Sequence, residues 1–100
     1  MIIHVLKSAG KFAENKDIAS QLRINHIMPA IEKQEEIVLD FSGVTSATQS
    51  FIHALISDII RKRGIAILDQ ITFKGCNKTI KTLVKIVFEY MQDVPEILEQ

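Results

Sequence analysis

Residues Ile37-Val38-Leu39-Asp40-Phe41 carry four apolar side chains in five positions, and Ser42-Gly43 breaks the run at once. Side chains along a strand alternate between faces. An unbroken apolar run therefore predicts a strand covered on both faces, as in a parallel sheet flanked by helices. The next segment agrees. Ser46-Ala47-Thr48-Gln49 has the form of a capping box, with a hydroxyl at the cap and Gln three residues later. Phe51, Ile52, Leu55, Ile56, Ile59 and Ile60 follow as a broad apolar stripe. Arg61-Lys62-Arg63 falls in the last turn, where cations suit the helix dipole. Gly64 supplies a left-handed exit. A helix over 48–63 is predicted.

The flanking sequence repeats the strand-then-helix order. Ile2–Leu6 is a short β-branched run that predicts a strand, with Lys11-Phe12-Ala13 returning as a second, edge strand. Asn15 caps a helix whose apolar positions are Ile18, Ala19, Leu22, Ile27 and Ile31, and Pro29 kinks or ends it. Residues 65–68 fit either a strand or a buried loop. Ile71–Lys74 predicts another strand, and Asn77 caps a third helix with its stripe at Ile80, Leu83, Val84, Val87, Phe88 and Met91. Pro95 is expected to end that helix. Alternating strands and helices define an α/β class, a mostly parallel or mixed sheet with three main helices, in one domain over residues 1–100. The expected core comprises Ile37–Leu39, the 48–63 stripe and Ile80–Met91, with Val38 and Leu83 inside it.

Composition narrows the function classes. The chain is 47% apolar and 24% charged, ordinary for a globular domain, which excludes disordered and collagen-like readings. Twelve Lys and Arg offset twelve Asp and Glu, which argues against a strongly basic nucleic-acid module. No apolar run approaches the ~18 residues of a membrane span, and the N-terminus lacks the basic start of a signal peptide. A single cysteine, Cys76, fits a reducing compartment, so a cytoplasmic location is expected. The charge is distributed unevenly: residues 61–85 hold seven cations against Asp69 alone, and residues 86–100 hold carboxylates and no Lys or Arg. Lys78, Lys81 and Lys85 recur at three- and four-residue spacing, with Lys74 just upstream, as a candidate anion-binding face. The plain alternative is a solvated helix face with a Lys85–Glu89 pair.

Catalytic and metal-binding constellations are incomplete. His4, His26 and His53 share no metal-ligand spacing with one another or with Cys76, so neither a metal nor a cofactor is expected. Ser50 and His53 are one helical turn apart, but the sequence offers no third orienting group or oxyanion hole. Cys76 stands at a strand-to-helix turn beside Lys74 and Lys78, where a depressed thiol pKa is conceivable, yet Thr82 occupies the place of the arginine that a phosphatase-type loop requires. A half-buried structural thiol is the simpler expectation. Gly75-Cys76-Asn77-Lys78-Thr79 lacks the spacing of a phosphate-binding loop. Asp40 ends the central strand, where a carboxylate either serves a site or orients the following loop. The chain is expected not to be an enzyme.

Ile37–Ile60, IVLDFSGVTSATQSFIHALISDII, resembles the STAS domain, the fold of bacterial anti-sigma factor antagonists. It is more closely similar to the STAS-like family of unknown function, through Asp-Phe-Ser-Gly-Val followed by Gln-Ser-Phe. The resemblance extends to Phe73–Met91. It implies a non-enzymatic, regulatory protein-interaction module that docks an ATP-binding, histidine-kinase-like partner. The implied contact residues are Ser46, Thr48, Gln49, Ser50 and His53, and Ser50 falls on the serine that such a kinase phosphorylates. This chain has Thr48 where the antagonist motif has aspartate, and Phe51 where it has glycine. The alternative from charge alone is a nucleic-acid or anion binder using the basic 61–85 region, which salt dependence separates from a packed protein interface.

Overall fold

In the computed structural model, which describes residues 1–99 and the side chains of residues 1–91, three short strands form a parallel sheet. These are β1 (Ile2–His4), β3 (Ile37–Asp40) and β5 (Ile71–Lys74), with β3 in the centre. The register places Ile3, Leu39 and Phe73 in one row and His4, Asp40 and Lys74 in the next. A smaller parallel pair joins β2 (Phe12–Ala13) to β4 (Ser46–Ala47). The expected edge strand at residues 11–13 exists, but it pairs in this second sheet.

Five α-helices accompany the strands: α1 (Val5–Ala9), α2 (Lys16–Leu22), α3 (Met28–Glu32), α4 (Gln49–Arg63) and α5 (Lys78–Glu99). The class is α/β, as expected, with more helical pieces than three. The first difference lies at the N-terminus. The predicted strand over 2–6 stops at His4, and Val5 opens α1 with its side chain fully buried. A five-residue apolar run fits either period, and tertiary burial of Val5 decides it. The second lies at Pro29. A π turn, Arg23–Ile27, precedes α3, and its Met28 N–H reaches back five residues to the Arg23 carbonyl. That widening absorbs the missing donor and the ring that a regular helix would clash with, so the chain turns without ending.

Other boundaries follow local chemistry. Asn15 caps α2 by accepting from the Asp17 N–H at 2.9 Å. Gly64 leaves α4 at φ +82° while its N–H donates to the Ile60 carbonyl. Residues 65–70 form a 3₁₀ turn with no fully buried residue, so 65–68 is neither the strand nor the buried loop that the sequence allows. Helix α5 continues through Pro95 to Glu99, against the expected stop.

The core occupies one side of the main sheet. Ile3, Ile37, Leu39 and Ile71 join the α4 stripe and Ile80, Val84, Val87 and Met91 of α5 in one buried cluster. Phe73 stacks on Phe41 at 6.3 Å and meets Phe88 edge-on at 5.7 Å. Strand alternation puts Ile2, Val38, Thr72, His4 and Lys74 on the opposite face. Ile2 is 57% exposed, Thr72, His4 and Lys74 are exposed, and Val38 is half-buried. The expectation of a strand covered on both faces is therefore corrected. The helices cover one face, and the apolar character of Val38 reflects a partly wet position. Leu83 is likewise half-buried at the flank of the α5 stripe.

This asymmetry sets different costs for two substitutions in the same strand. Leu39→Ala should destabilise by about 2–5 kcal/mol through cavity formation. Val38→Ala, which removes two methyl groups from a half-wet site, should cost about 1 kcal/mol. Urea midpoints at constant slope measure both.

Candidate functional site

The start of α4 is built by its cap. Thr48 Oγ1 accepts from the Phe51 N–H at 3.1 Å, and the Thr48 N–H donates to the Ala13 carbonyl at 3.0 Å. Thr48, rather than Ser46, is the cap. Ser46 instead continues the chain as β4 beside Phe12. The capping-box reading was displaced by two residues because Thr45-Ser46 first pairs with the Lys11 carbonyl, through N–H donors at 2.8 and 3.2 Å. Phe51, which stands where the antagonist motif has glycine, is fully buried. Thr48 in place of aspartate preserves a capping oxygen.

Ser50 occupies the second helical position and is exposed. Gln49, Ser50 and His53 line an open depression of about 440 Å³ with Ala54 of the same helix and Lys16 of α2. Ser46 and Thr48 face an adjoining depression of about 320 Å³, with Phe12, Ala13 and Glu14. The five expected contact residues thus share one end of the molecule, divided between two neighbouring hollows. His53 is half-buried and meets Tyr90 of α5 edge-on, ring centres 6.0 Å apart. Tyr90 is 51% exposed and Phe12 62% exposed, so two large aromatic surfaces border the site.

Lys16, Phe12 and Tyr90 are not among the contact residues that the sequence offers. Lys16 lines the same hollow as Ser50 because α2 packs along α4. That packing is fixed in part by Arg23, which donates to the Ala54 carbonyl and lies 3.4 Å from Asp58. The Asn15 cap located Lys16 on a first helical turn, but nothing in the sequence paired that turn with residue 50.

The carboxyl ends of the main strands form a second, structural centre. Asp40 Oδ1 accepts from the Ser42 N–H at 2.9 Å, and its Oδ2 lies 3.4 Å from His4 Nδ1. Hydrogen bonds from the Ser42 hydroxyl and N–H hold the Asp40 carboxyl below its ordinary range, opposed by burial and helped by the charges of His4 and Lys74. Asp40 therefore orients the loop after β3. Asn77 Oδ1 accepts from the Ile80 N–H at 2.9 Å, capping α5 as expected. Its Nδ2 donates to the Thr45 carbonyl at 2.7 Å, which ties α5 to the loop leading into α4. Gly75 has φ +69°, and a side chain there would stand 2.8 Å from the Ser42 backbone nitrogen.

The four lysines of the basic face do not converge. Lys74 points with His4 and Asp40 to the open sheet face, and Lys78 is exposed at the start of α5. Lys81 and Lys85 alone rim a shallow cleft between β5 and α5. The expected Lys85–Glu89 pair is not formed; the described ion pairs are those of Asp40 with His4 and of Asp58 with Arg23 and Arg61. Burial pushes the Cys76 thiol up, against the pull of Lys81, the opposite direction to the depression that a basic strand-to-helix turn suggests. Among the described residues no group of three or more His, Cys, Asp or Glu could hold a metal, and no helix is long and apolar enough to cross a membrane.

A three-stranded parallel sheet with its helices against one face, and polar residues gathered at the start of α4, defines a small STAS-like α/β domain. The chain belongs to the family described as a STAS-like domain of unknown function (DUF4325), whose model matches residues 19–81. No curated protein and no solved structure matches it.

Two measurements check the roles assigned above. Thr48→Ala should cost about 1 kcal/mol through loss of the cap, whereas Ser50→Ala should stay within about 0.5 kcal/mol; thermal or urea unfolding separates them. Asp40 has a folded pKa below its unfolded value. Its contribution is present above the unfolded value and lost as pH falls through the folded one. Asp40→Asn should therefore be less stable near neutrality, and its stability should fall less steeply than the wild type's as pH falls through and below the ordinary aspartate range.

Proposed function

We propose that this chain is a non-enzymatic regulatory module that docks a protein partner through the start of α4, with Ser50 as the residue whose phosphorylation controls docking. The observation that carries the reading is the position of Ser50: exposed, at the second residue of a 15-residue helix, in a hollow bordered by Lys16. Phosphate there meets unpaired backbone donors and the positive end of the helix dipole. Lys16 lines the same hollow and adds a positive charge there. Ser50 itself contributes nothing to the core, so its side chain is free for this role.

The partner most consistent with the family resemblance is an ATP-binding, histidine-kinase-like regulator in the cytoplasm. The bordering aromatics support a protein partner. Tyr is enriched at the centres of protein interfaces and supplies large contact area at low entropic cost. Absence of turnover belongs to the same proposal, since neither Ser50 nor Cys76 has both a base and an orienting group.

The test is a charge placed at Ser50. Ser50→Asp should keep the melting temperature of the wild type or raise it slightly through the dipole. The same change should reduce recovery of the partner in co-purification from the native host, because charge repulsion and desolvation at an interface cost far more than a surface substitution. Equal recovery at equal stability would remove Ser50 from the interface.

A further inference from the structure

We propose that the cleft between β5 and α5 is a binding site for a slender amphiphilic carboxylate, such as a medium-chain fatty acid. Phe73, Cys76, Val84 and Phe88 form its walls, and Lys81 and Lys85 stand at its rim. The site is independent of the docking surface at α4.

Three observations converge on this ligand class. First, the walls are apolar although the cleft opens at the surface. Phe73 and Phe88 are only half-buried, and their edge-to-face contact keeps both rings in place beside the opening. Burial raises the Cys76 thiol pKa, as expected of a dry wall. Second, Lys81 and Lys85 are one helical turn apart on the same side of α5, close enough for both ammonium groups to meet one carboxylate. Neither takes part in an ion pair among the described residues. Third, the cleft holds about 210 Å³. That is below the roughly 300–1,000 Å³ of sites for drug-sized molecules, and it suits an acyl chain. A purely apolar ligand would leave the lysines unused, and a nucleic-acid phosphate would leave the aromatic walls without a partner. The combination asks for a short apolar body with a single anionic head.

Cys76 is the only cysteine in the chain, so its alkylation reports on the cleft directly. The rate of reaction with neutral iodoacetamide is measured on the full chain with decanoate below its micellar concentration, with decanol, and with a short peptide combining one Phe and flanking Glu residues. Decanoate should slow alkylation severalfold in a saturable way, with decanol much weaker. Lys81→Gln/Lys85→Gln should weaken the half-protecting concentration about ten-fold, the loss of a charge-assisted contact. Both lysines are exposed, so the variant should melt with the wild type; Lys85→Gln alone, expected to fall between the two, keeps the test valid if it does not. Equal protection by decanol, unchanged protection of the lysine variants, or protection by the peptide and not by decanoate would each overturn the proposal, the last assigning the cleft to a protein partner. Absence of protection by any probe would overturn it as well.

Discussion

The side chain of Asn77 holds together two halves of the molecule that the sheet alone would leave separate. It caps α5 through Ile80 and, from the same amide, reaches the carbonyls at the end of the β3–β4 loop. With three short strands, the main sheet has little hydrogen-bonded length. The carboxyl ends of β3 and β5 are instead fastened by side chains and close backbone approach: Asp40 on Ser42, Asn77 on Thr45, and Gly75 against Ser42. The position of α4 follows from this fastening, because the loop that Asn77 grips leads through β4 directly to the Thr48 cap.

That geometry explains where polar residues can be spent on recognition. Asp40 is polar because it holds Ser42, and Asn77 because it satisfies backbone groups of two segments, at a crowded strand end. Ser50, Gln49 and Lys16 satisfy nothing of comparable structural importance. In Thr48 the two demands overlap. Its hydroxyl oxygen serves the helix, so any partner contact it makes must leave the cap intact. The Cys76 thiol, by contrast, is a wall of an apolar cleft, and burial pushes its pKa up.

Much of this architecture was readable from sequence. The β3 run, the α4 stripe and its glycine exit, the Asn15 and Asn77 caps and the β5–α5 unit all declare themselves through periodicity and local hydrogen bonding, which depend on neighbours in the chain. The Ser50 end of α4 was legible because its signal lies within one continuous segment. What was not legible depends on distant neighbours. Val38 has the same apolar character as Leu39, and only the absence of a covering helix tells them apart. Val5 became helical because the core needed it there. Lys16 and Tyr90 joined the Ser50 surface through helix packing, which leaves no local mark. Lys78, Lys81 and Lys85 share a helical spacing that the sequence shows, but only the packing of α5 against β5 brings Lys81 and Lys85, and not Lys78, to the rim of the cleft, while strand alternation sends Lys74 to the other side of the sheet.

Helix α5 finally separates the two surfaces it helps to build. With 3.6 residues per turn, Lys81 and Tyr90 lie about two and a half turns apart, on opposite flanks of the helix. The buried stripe of Ile80, Val84, Val87 and Met91 runs between them. On one flank, Tyr90 contacts His53, which lines the Ser50 hollow; on the other, Lys81 and Lys85 rim the aromatic cleft. A close-packed core between two surfaces passes little from one to the other unless the helix itself shifts. Substitutions on the two flanks should therefore act additively on stability, as distant, unshared sites do. Non-additivity would identify a movement of α5, and with it a physical route by which a ligand in the cleft alters the docking end.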